Sequence, residues 1–371
     1  MSTPDAADAL HFVSADSHVL EPGDLWTTHA ATRYRERVLR VETEDGRSRR
    51  VGEDLGYLSL TMTFAAGERG DSYQKGVSTW EERPASGYDA TARLAAIEQD
   101  GVVGEVLYPT LGLGLYEIRD PGLLHESTRV YNEWLAELVA SGGGRFLGVG
   151  MISLGDPEHA ADEIEEIASL GLRGALLPVT TAVPYNDPLY TPLWEAATAL
   201  SVPLSFHVGT GGDLTRVQGP GAGGVNLLSL HYDVQIACQL LIWSGVFDRH
   251  PELRVLFVEI GIGWVAHLLA LMDDKWDQHR SWMRPSLERL PSEYFRANCA
   301  ATFERDEVGL LTREWVGAQS FMWATDYPHI ESSWPHSREI GEKELAPLEP
   351  TERALIAAGN VENAYDWSPR A

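Results

Sequence analysis

Two polar residues near the N-terminus have the types and spacing of metal ligands. Asp16 and His18 end a short apolar run that begins at Phe12. On a β-strand, residues two positions apart point to the same face, so the carboxylate and the imidazole lie side by side. A buried pair of this kind is costly unless something binds it, and a divalent metal ion accepts both kinds of ligand. A helix-capping Asp beside a surface His would give the same spacing.

Three later apolar runs end in residues of the same kinds, namely His207, Glu259 and Asp326. Two imidazoles and several carboxylates suit one divalent ion, Zn²⁺ or Mn²⁺, with a position left for water or substrate. The site exists only if the fold brings these distant strand ends together.

The apolar runs alternate with helical segments, which predicts an α/β fold. Near-continuous apolar strands are typical of a parallel sheet covered on both faces, and eight βα units predict a (β/α)₈ TIM-type barrel. The carboxyl ends of all barrel strands open onto one face, where the polar residues would converge. A Rossmann-type sheet is the alternative, but no Gly-x-Gly-x-x-Gly follows the first strand. The predicted strands cover residues 12–18, 102–109, 146–153, 172–178, 202–208, 253–259, 295–302 and 320–326.

A long insert separates the first strand from the first barrel helix. Residues 22–88 are charged and irregular, with a β-hairpin predicted at Asp45-Gly46. Excursions of this length are usually lids or binding loops, so we expect the insert to cover the open face of the barrel, with Trp26 on the pocket wall. No repeat or linker interrupts the chain, and residues 1–371 are predicted to form a single domain.

The composition restricts the partners and the location. The chain has 29 basic and 55 acidic residues, a net charge of −26 that disfavours nucleic acids and anionic membranes. Cys238 and Cys299 are its two cysteines, and no signal peptide or membrane span is visible. We expect a cytoplasmic protein that acts on a small molecule and forms a homo-oligomer, a dimer.

Several motifs together resemble the metal site of the amidohydrolase superfamily, in particular its "amidohydrolase 2" branch, typified by α-amino-β-carboxymuconate-ε-semialdehyde decarboxylase. The resemblance covers nearly the whole chain and implies a barrel with one divalent ion, zinc or manganese. The implied ligands are Asp16, His18, His207 and Asp326. The motifs are Asp16-Ser-His18-Val-Leu-Glu21-Pro22, Ser205-Phe-His207, Trp323-Ala-Thr-Asp326-Tyr-Pro328-His329, and the segments 250–255 and 359–365.

Glu259 departs from the pattern of that branch, in which the sixth strand ends in a His that serves as an acid or base. A buried Glu beside a metal could carry protons, act as a fixed anion or be an additional ligand. Asp326, Glu259 and His329 are the predicted catalytic residues. Glu21 is expected to shape the adjacent loop.

The resemblance implies a metal-dependent lyase that decarboxylates a small aromatic or unsaturated carboxylate. The alternative is a metal-dependent hydrolase of an amide, lactone or ester, in which Asp326 takes a proton from the attacking water. A non-catalytic scaffold is a third class, against which the complete ligand set argues. A decarboxylase needs an arginine for the substrate carboxylate, and Arg173, Arg216 and Arg305 are the candidates.

Overall fold

Eight parallel strands form the central sheet. The structure, a computed structural model, describes residues 10–56, 60–73, 78–156, 159–211 and 215–370. The eight strands follow one another around the sheet in chain order, which confirms the predicted TIM-type barrel. In chain order the strands are β1 (Val13–His18), the separate hairpin strands β2 (Arg40–Glu44) and β3 (Arg47–Val51), then β4 (Gly104–Tyr108), β5 (Phe146–Met151), β6 (Gly174–Leu177), β7 (Leu204–His207), β8 (Val255–Val258), β9 (Cys299–Phe303) and β10 (Phe321–Trp323).

Backbone hydrogen bonds join the first and last strands at their carboxyl ends. The Asp326 N–H donates to the Asp16 carbonyl at 2.9 Å, and the His18 N–H donates to the Tyr327 carbonyl at 2.7 Å. All six residues of β1 and all five of β4 are buried, because helices cover the outside of the sheet and side chains fill its inside. This explains why the strands read as near-continuous apolar runs.

Helices surround the barrel, and their ends follow simple capping rules. The Asp89 side chain accepts a hydrogen bond from the Ala92 N–H at the start of the first barrel helix. Among the described residues no helix combines the length and apolar character needed to cross a bilayer. The helices are α1 (Leu25–His29), α2 (Ala90–Asp100), α3 (Pro121–Ala140), α4 (Ala160–Ser169), α5 (Thr191–Ala199), α6 (Ala222–Trp243), α7 (Val246–Arg249), α8 (Gly263–His279), α9 (Pro291–Asn298), α10 (Glu307–Leu310), α11 (Arg313–Val316), α12 (Ser337–Leu345), α13 (Pro350–Ala354) and α14 (Asn360–Tyr365).

One predicted strand begins too early. The run 295–302 was expected to be extended throughout, but its first four residues complete α9 and only Cys299 starts β9. Pro291 occupies the first turn of α9 and the Glu293 side chain caps it, so a helix is favoured here although Phe295 is apolar. The apolar run therefore joins a helix end to a strand.

The insert between β1 and α2 contacts the carboxyl-terminal end of the barrel. The Ala66 N–H donates to the Pro328 carbonyl at 3.0 Å, and the Ile330 N–H donates to the Met62 carbonyl at 2.9 Å. The predicted hairpin is present as β2 and β3. Trp26 does not line a pocket wall as expected: it is fully buried, and its indole N–H donates to a carbonyl of α3 at 2.9 Å.

Candidate metal centre

The barrel brings the imidazoles of His18 and His207 together, with their ring planes nearly perpendicular. Their Nε2 atoms lie 3.1 Å apart. The Nδ1 atom of His18 lies 2.7 Å from the Pro109 carbonyl, and that of His207 lies 2.8 Å from the Val208 carbonyl. A carbonyl oxygen only accepts, so each Nδ1 is the protonated nitrogen and each Nε2 of a neutral ring offers a lone pair. Two lone pairs directed at one another need a cation between them.

Carboxylates complete the cluster. Asp16 Oδ1 lies 3.6 Å from His18 Nε2 and 3.5 Å from His207 Nε2. Asp326 Oδ1 lies 3.5 Å from His18 Nε2. Ligand atoms at about 2.0–2.2 Å from one ion are separated by about 3.0–3.6 Å, and the observed separations lie in that range. Asp16 and Asp326 are fully buried, and none of their carboxylate oxygens has a hydrogen-bond partner among the described residues. The residues present therefore fit a divalent ion.

Glu259 also points into this cluster, and it is its most accessible member. Its Oε2 lies 3.3 Å from His207 Nε2 and 3.9 Å from His18 Nε2, and its side chain is 17% exposed. Burial, and then the charge of Asp16, raise the pKa of Glu259. Burial and the charge of Glu259 likewise raise the pKa of Asp326. In the absence of a cation, the carboxyl groups of Glu259 and Asp326 therefore favour their protonated forms.

Two of these residues have a backbone conformation that is rare outside glycine. Glu259 has φ 60° and Asp326 has φ 53°, both in the left-handed region. Such a conformation costs on the order of 1 kcal/mol or more and persists only where the surroundings impose it. It turns each side chain from the end of its strand toward the cluster. Strain at two independent strand ends is typical of a functional site.

His329 contacts both Asp326 and His18. Its ring stacks on that of His18 with centroids 3.8 Å apart, and its Nδ1 lies 3.1 Å from Asp326 Oδ1. Its Nε2 lies 3.0 Å from Thr110 Oγ1. Burial, and then the neighbouring His207, lower the pKa of His329 to about 3, so the ring is neutral.

Glu21 shapes the loop that holds His18. Its carboxylate accepts hydrogen bonds from the N–H groups of Thr110, Leu111 and Gly112 at 3.2, 2.9 and 2.9 Å. These three residues follow Pro109, whose carbonyl binds His18. Glu21 thus acts through the loop, as expected, and its two oxygens are occupied by backbone donors.

Two residues near the centre were missed in the sequence. Arg93 is buried, and it donates to the carbonyl of His18 at 2.6 Å and to Glu105 at 2.6 Å. The available signal for Arg93 was that it is a charged residue one helical turn before Ile97, on the inner face of α2. The second residue is Glu304, which directly follows β9. Its signal in the sequence was that it follows an apolar run, as Asp326 and Glu259 do.

The three candidate arginines have different partners in the structure. Arg173 precedes β6, at the opposite end of the barrel, and donates to the Asp366 carbonyl. Arg216 pairs with Asp233 of α6. Arg305 follows β9 at the carboxyl end, and its side chain donates to the Glu331 carbonyl at 3.3 Å. Arg216, in the loop between β7 and α6, and Arg305 thus lie at the end of the barrel that carries the centre, whereas Arg173 does not.

The comparison with known families agrees with this geometry. A family model described as amidohydrolase matches residues 72–367. The chain belongs to the amidohydrolase family. The resemblance stated from the motifs is thereby confirmed.

Individual amidohydrolase relatives cover most of the chain. A γ-resorcylate decarboxylase from Polaromonas sp. is 26% identical over 278 residues, which are 67% of this chain and 78% of that protein. The crystal structure of an amidohydrolase from Mycobacterium avium subsp. paratuberculosis has a TM-score of 0.81 at 20% identity, covering 96% of this chain and 98% of the other. A dihydroxybenzoic acid decarboxylase from Polaromonas sp., with bound manganese and the inhibitor 2-nitroresorcinol, has a TM-score of 0.64 at 19% identity and covers 96% and 97% of the two chains. At these identities the two structures support the barrel fold alone.

Proposed function

We propose that this protein is a metal-dependent decarboxylase of a small aromatic carboxylate. The observation that carries the proposal is the pair of facing Nε2 atoms of His18 and His207, surrounded by buried carboxylates without hydrogen-bond donors. The γ-resorcylate decarboxylase from Polaromonas sp., similar over 78% of its length, favours decarboxylation over the hydrolysis of an amide, lactone or ester.

Asp16, His18, His207 and Asp326 would hold the ion, and the two carbonyls that bind the Nδ1 atoms orient the rings. A bound divalent ion supplies Lewis-acid chemistry, in that it orients a substrate oxygen and withdraws electron density. We propose zinc, with manganese as the alternative, because a nitrogen and oxygen donor set accepts both. The dihydroxybenzoic acid decarboxylase from Polaromonas sp. contains manganese.

Glu259 is the proposed proton donor. In decarboxylation the bond from the ring carbon to the carboxylate breaks, CO₂ leaves, and its electron pair stays on the ring carbon. Burial raises the pKa of Glu259, and a carboxyl group in its protonated form can then transfer its proton to that carbon. Glu259 suits this role because it is partly exposed, whereas the neutral His329 is bound to Thr110 and acts through Asp326. Asp326 has two proposed roles: it binds the metal ion, and it stabilises the transfer of the proton from Glu259.

Turnover with the metal-loaded protein tests this function. The purified protein is loaded with zinc or manganese and incubated with γ-resorcylate and other hydroxybenzoates, and with matched amides and lactones. Mass spectrometry distinguishes loss of CO₂ from gain of water. Release of CO₂ from at least one hydroxybenzoate is the expected result, and exclusive hydrolysis of the amides or lactones would contradict it.

We also propose that two copies of the chain associate through the outer face of α6. Val225, Leu228, Tyr232 and Ile236 recur at helical spacing on this face and are 52–62% exposed. Asp233 is the single Asp, Glu, Lys or Arg in α6, and it is buried. Two copies that each carry −26 repel one another, and a contact through this uncharged face adds no like-charge contacts to that repulsion, so the face is suited to a second copy. A cytoplasmic location stays a prediction, with which the two free, buried cysteines agree.

A further inference from the structure

Buried carboxylates in this barrel are generally matched by dedicated donors. Glu21 accepts from three backbone N–H groups. Glu105 accepts from the Arg93 guanidinium at 2.6 Å. Even the half-buried Asp306 accepts from three backbone N–H groups at 2.6–2.7 Å. Such pairing is expected, because a buried carboxylate oxygen without a donor loses its hydration without compensation.

Within the described part of the chain, four carboxyl groups have a buried oxygen without a hydrogen-bond partner: those of Asp16, Asp326, Glu304 and Glu344. The proposed metal ion accounts for Asp16 and Asp326. Glu344 belongs to helix α12 and does not lie at a strand end. Glu304 is therefore the group at the active end of the barrel whose missing partner still needs an explanation.

Glu304 lies on the side of β9 that faces the centre. The Thr302 hydroxyl oxygen accepts a hydrogen bond from the Glu259 N–H at 2.9 Å. Glu304 is two positions after Thr302, so the alternation of the strand directs both side chains to the same face. Burial, and then the charge of Asp16, raise the pKa of Glu304 to about 8.

The charged neighbours of Glu304 do not supply its partner. Asp16 and Glu331 are carboxylates, and both raise the pKa of Glu304. Arg305 lowers it, but the Arg305 guanidinium donates to the Glu331 carbonyl and forms no ion pair with Glu304 within the described residues. The free oxygen thus has no donor among the described residues and is available to pair with a donor that a substrate brings.

We propose that Glu304 selects the substrate by binding a hydrogen-bond donor on its ring, a phenolic hydroxyl distinct from the oxygens held at the metal centre. This inference rests on the proposed function, because it assumes an aromatic carboxylate at that centre. A site built to bind a hydroxyl discriminates strongly against an analogue that lacks it, since the buried protein group is then left unpaired. Glu304 is in this sense a specificity-determining residue.

Calorimetric binding to the metal-loaded protein tests the inference without requiring turnover. The probes are salicylate, the four dihydroxybenzoates that carry at least one hydroxyl beside the carboxylate, and the methyl ethers of their second hydroxyl. We expect one dihydroxybenzoate to bind about 10- to 100-fold more tightly than salicylate and than its own methyl ether. Glu304→Ala removes this preference, and Glu304→Gln retains part of it.

Glu307→Gln, which changes an exposed carboxylate on α10, is the matched control and keeps the wild-type preference. Metal content and thermal melting of each variant are measured first, so that a misfolded protein is recognised. Equal binding of all probes by the wild type, no binding of any probe at millimolar concentration, or an unchanged preference in Glu304→Ala would overturn the inference. Failure of the proposed function has a different signature, namely selective binding of the hydroxylated probe without release of CO₂.

Discussion

His18 and His207 present their Nε2 atoms to each other at 3.1 Å, and each ring is held in this orientation by a backbone carbonyl on its Nδ1. Protonation of one ring would relieve the repulsion between the two Nε2 lone pairs. Here, however, burial, and then the charges of His329 and His207, lower the pKa of His18. The His18 ring therefore favours its neutral form, in which Nε2 is free to bind a cation.

Removal of either of two ligands should abolish metal binding. His207→Ala deletes one facing nitrogen, and Asp326→Asn removes one anionic ligand while keeping a side chain that tolerates the left-handed backbone. We expect bound metal to fall from stoichiometric to background and decarboxylation to be lost, with the circular dichroism spectrum unchanged. His125→Ala, on the surface of α3, serves as control. Stoichiometric metal in either ligand variant would show that the assignment is wrong.

Glu21 should affect the metal through the loop that it holds. In Glu21→Ala the N–H groups of Thr110, Leu111 and Gly112 lose their common acceptor, so the Pro109 carbonyl no longer fixes His18. We expect metal affinity to fall about 10- to 100-fold, measured by competition with a chromophoric chelator. Glu117→Ala, which also removes a carboxylate from an N–H but at Gly56, should leave the affinity unchanged. An unaltered affinity in Glu21→Ala would exclude this coupling.

The sequence was sufficient for the barrel and for the convergence of its polar strand ends, because strand period and chain order determine both. It could not determine the tautomers of His18 and His207, which depend on carbonyls placed by the fold. It could not reveal the role of Arg93, because the His18 carbonyl at the end of β1 becomes its neighbour only after folding. The strand predicted over 295–302 includes the last four residues of α9, because apolar periodicity alone does not distinguish a buried helix end from a strand.

The outer face of α6 should control assembly. Leu228→Glu or Tyr232→Glu places a charge in the apolar face, where a second copy would have to bury it. We expect each variant to sediment as a monomer in analytical ultracentrifugation while the wild type sediments as a dimer. Leu311→Glu, at an equally exposed apolar position between α10 and α11, should remain a dimer. A wild-type monomer, or a dimer in both α6 variants, would refute the proposed interface.

The metal-free protein should lose stability as the pH rises from 6.5 to about 8. The raised pKa of Glu304, about 8, means that the native state binds more protons than the unfolded state in this window. The free energy of unfolding then falls with pH. Below this window the histidines act oppositely, because the lowered pKa of His329 makes the native state bind fewer protons.

Thermal melting in the presence of a chelator measures this dependence. We expect the Tm of the wild type to drop by at least about 2 °C across the window and to drop less in Glu304→Gln, which cannot ionise. Glu307→Gln should retain the wild-type slope. A Tm that rises with pH, or equal slopes in the wild type and Glu304→Gln, would contradict the expectation.

Glu259→Gln distinguishes a proton donor from a ligand. The amide keeps the size of the side chain but cannot exchange the proton, so we expect kcat to fall about 10²- to 10⁴-fold with metal content unchanged. The pH–rate profile of the variant should lack the limb that reports this acid in the wild type. Glu307→Gln again controls for the loss of one negative charge. If Glu259→Gln instead loses the metal, the 3.3 Å approach of Oε2 to His207 Nε2 reflects ligation, and the donor must be another group. If rate and metal are both unchanged, Glu259 has a structural role, and His329 beside Asp326 is the next residue to replace.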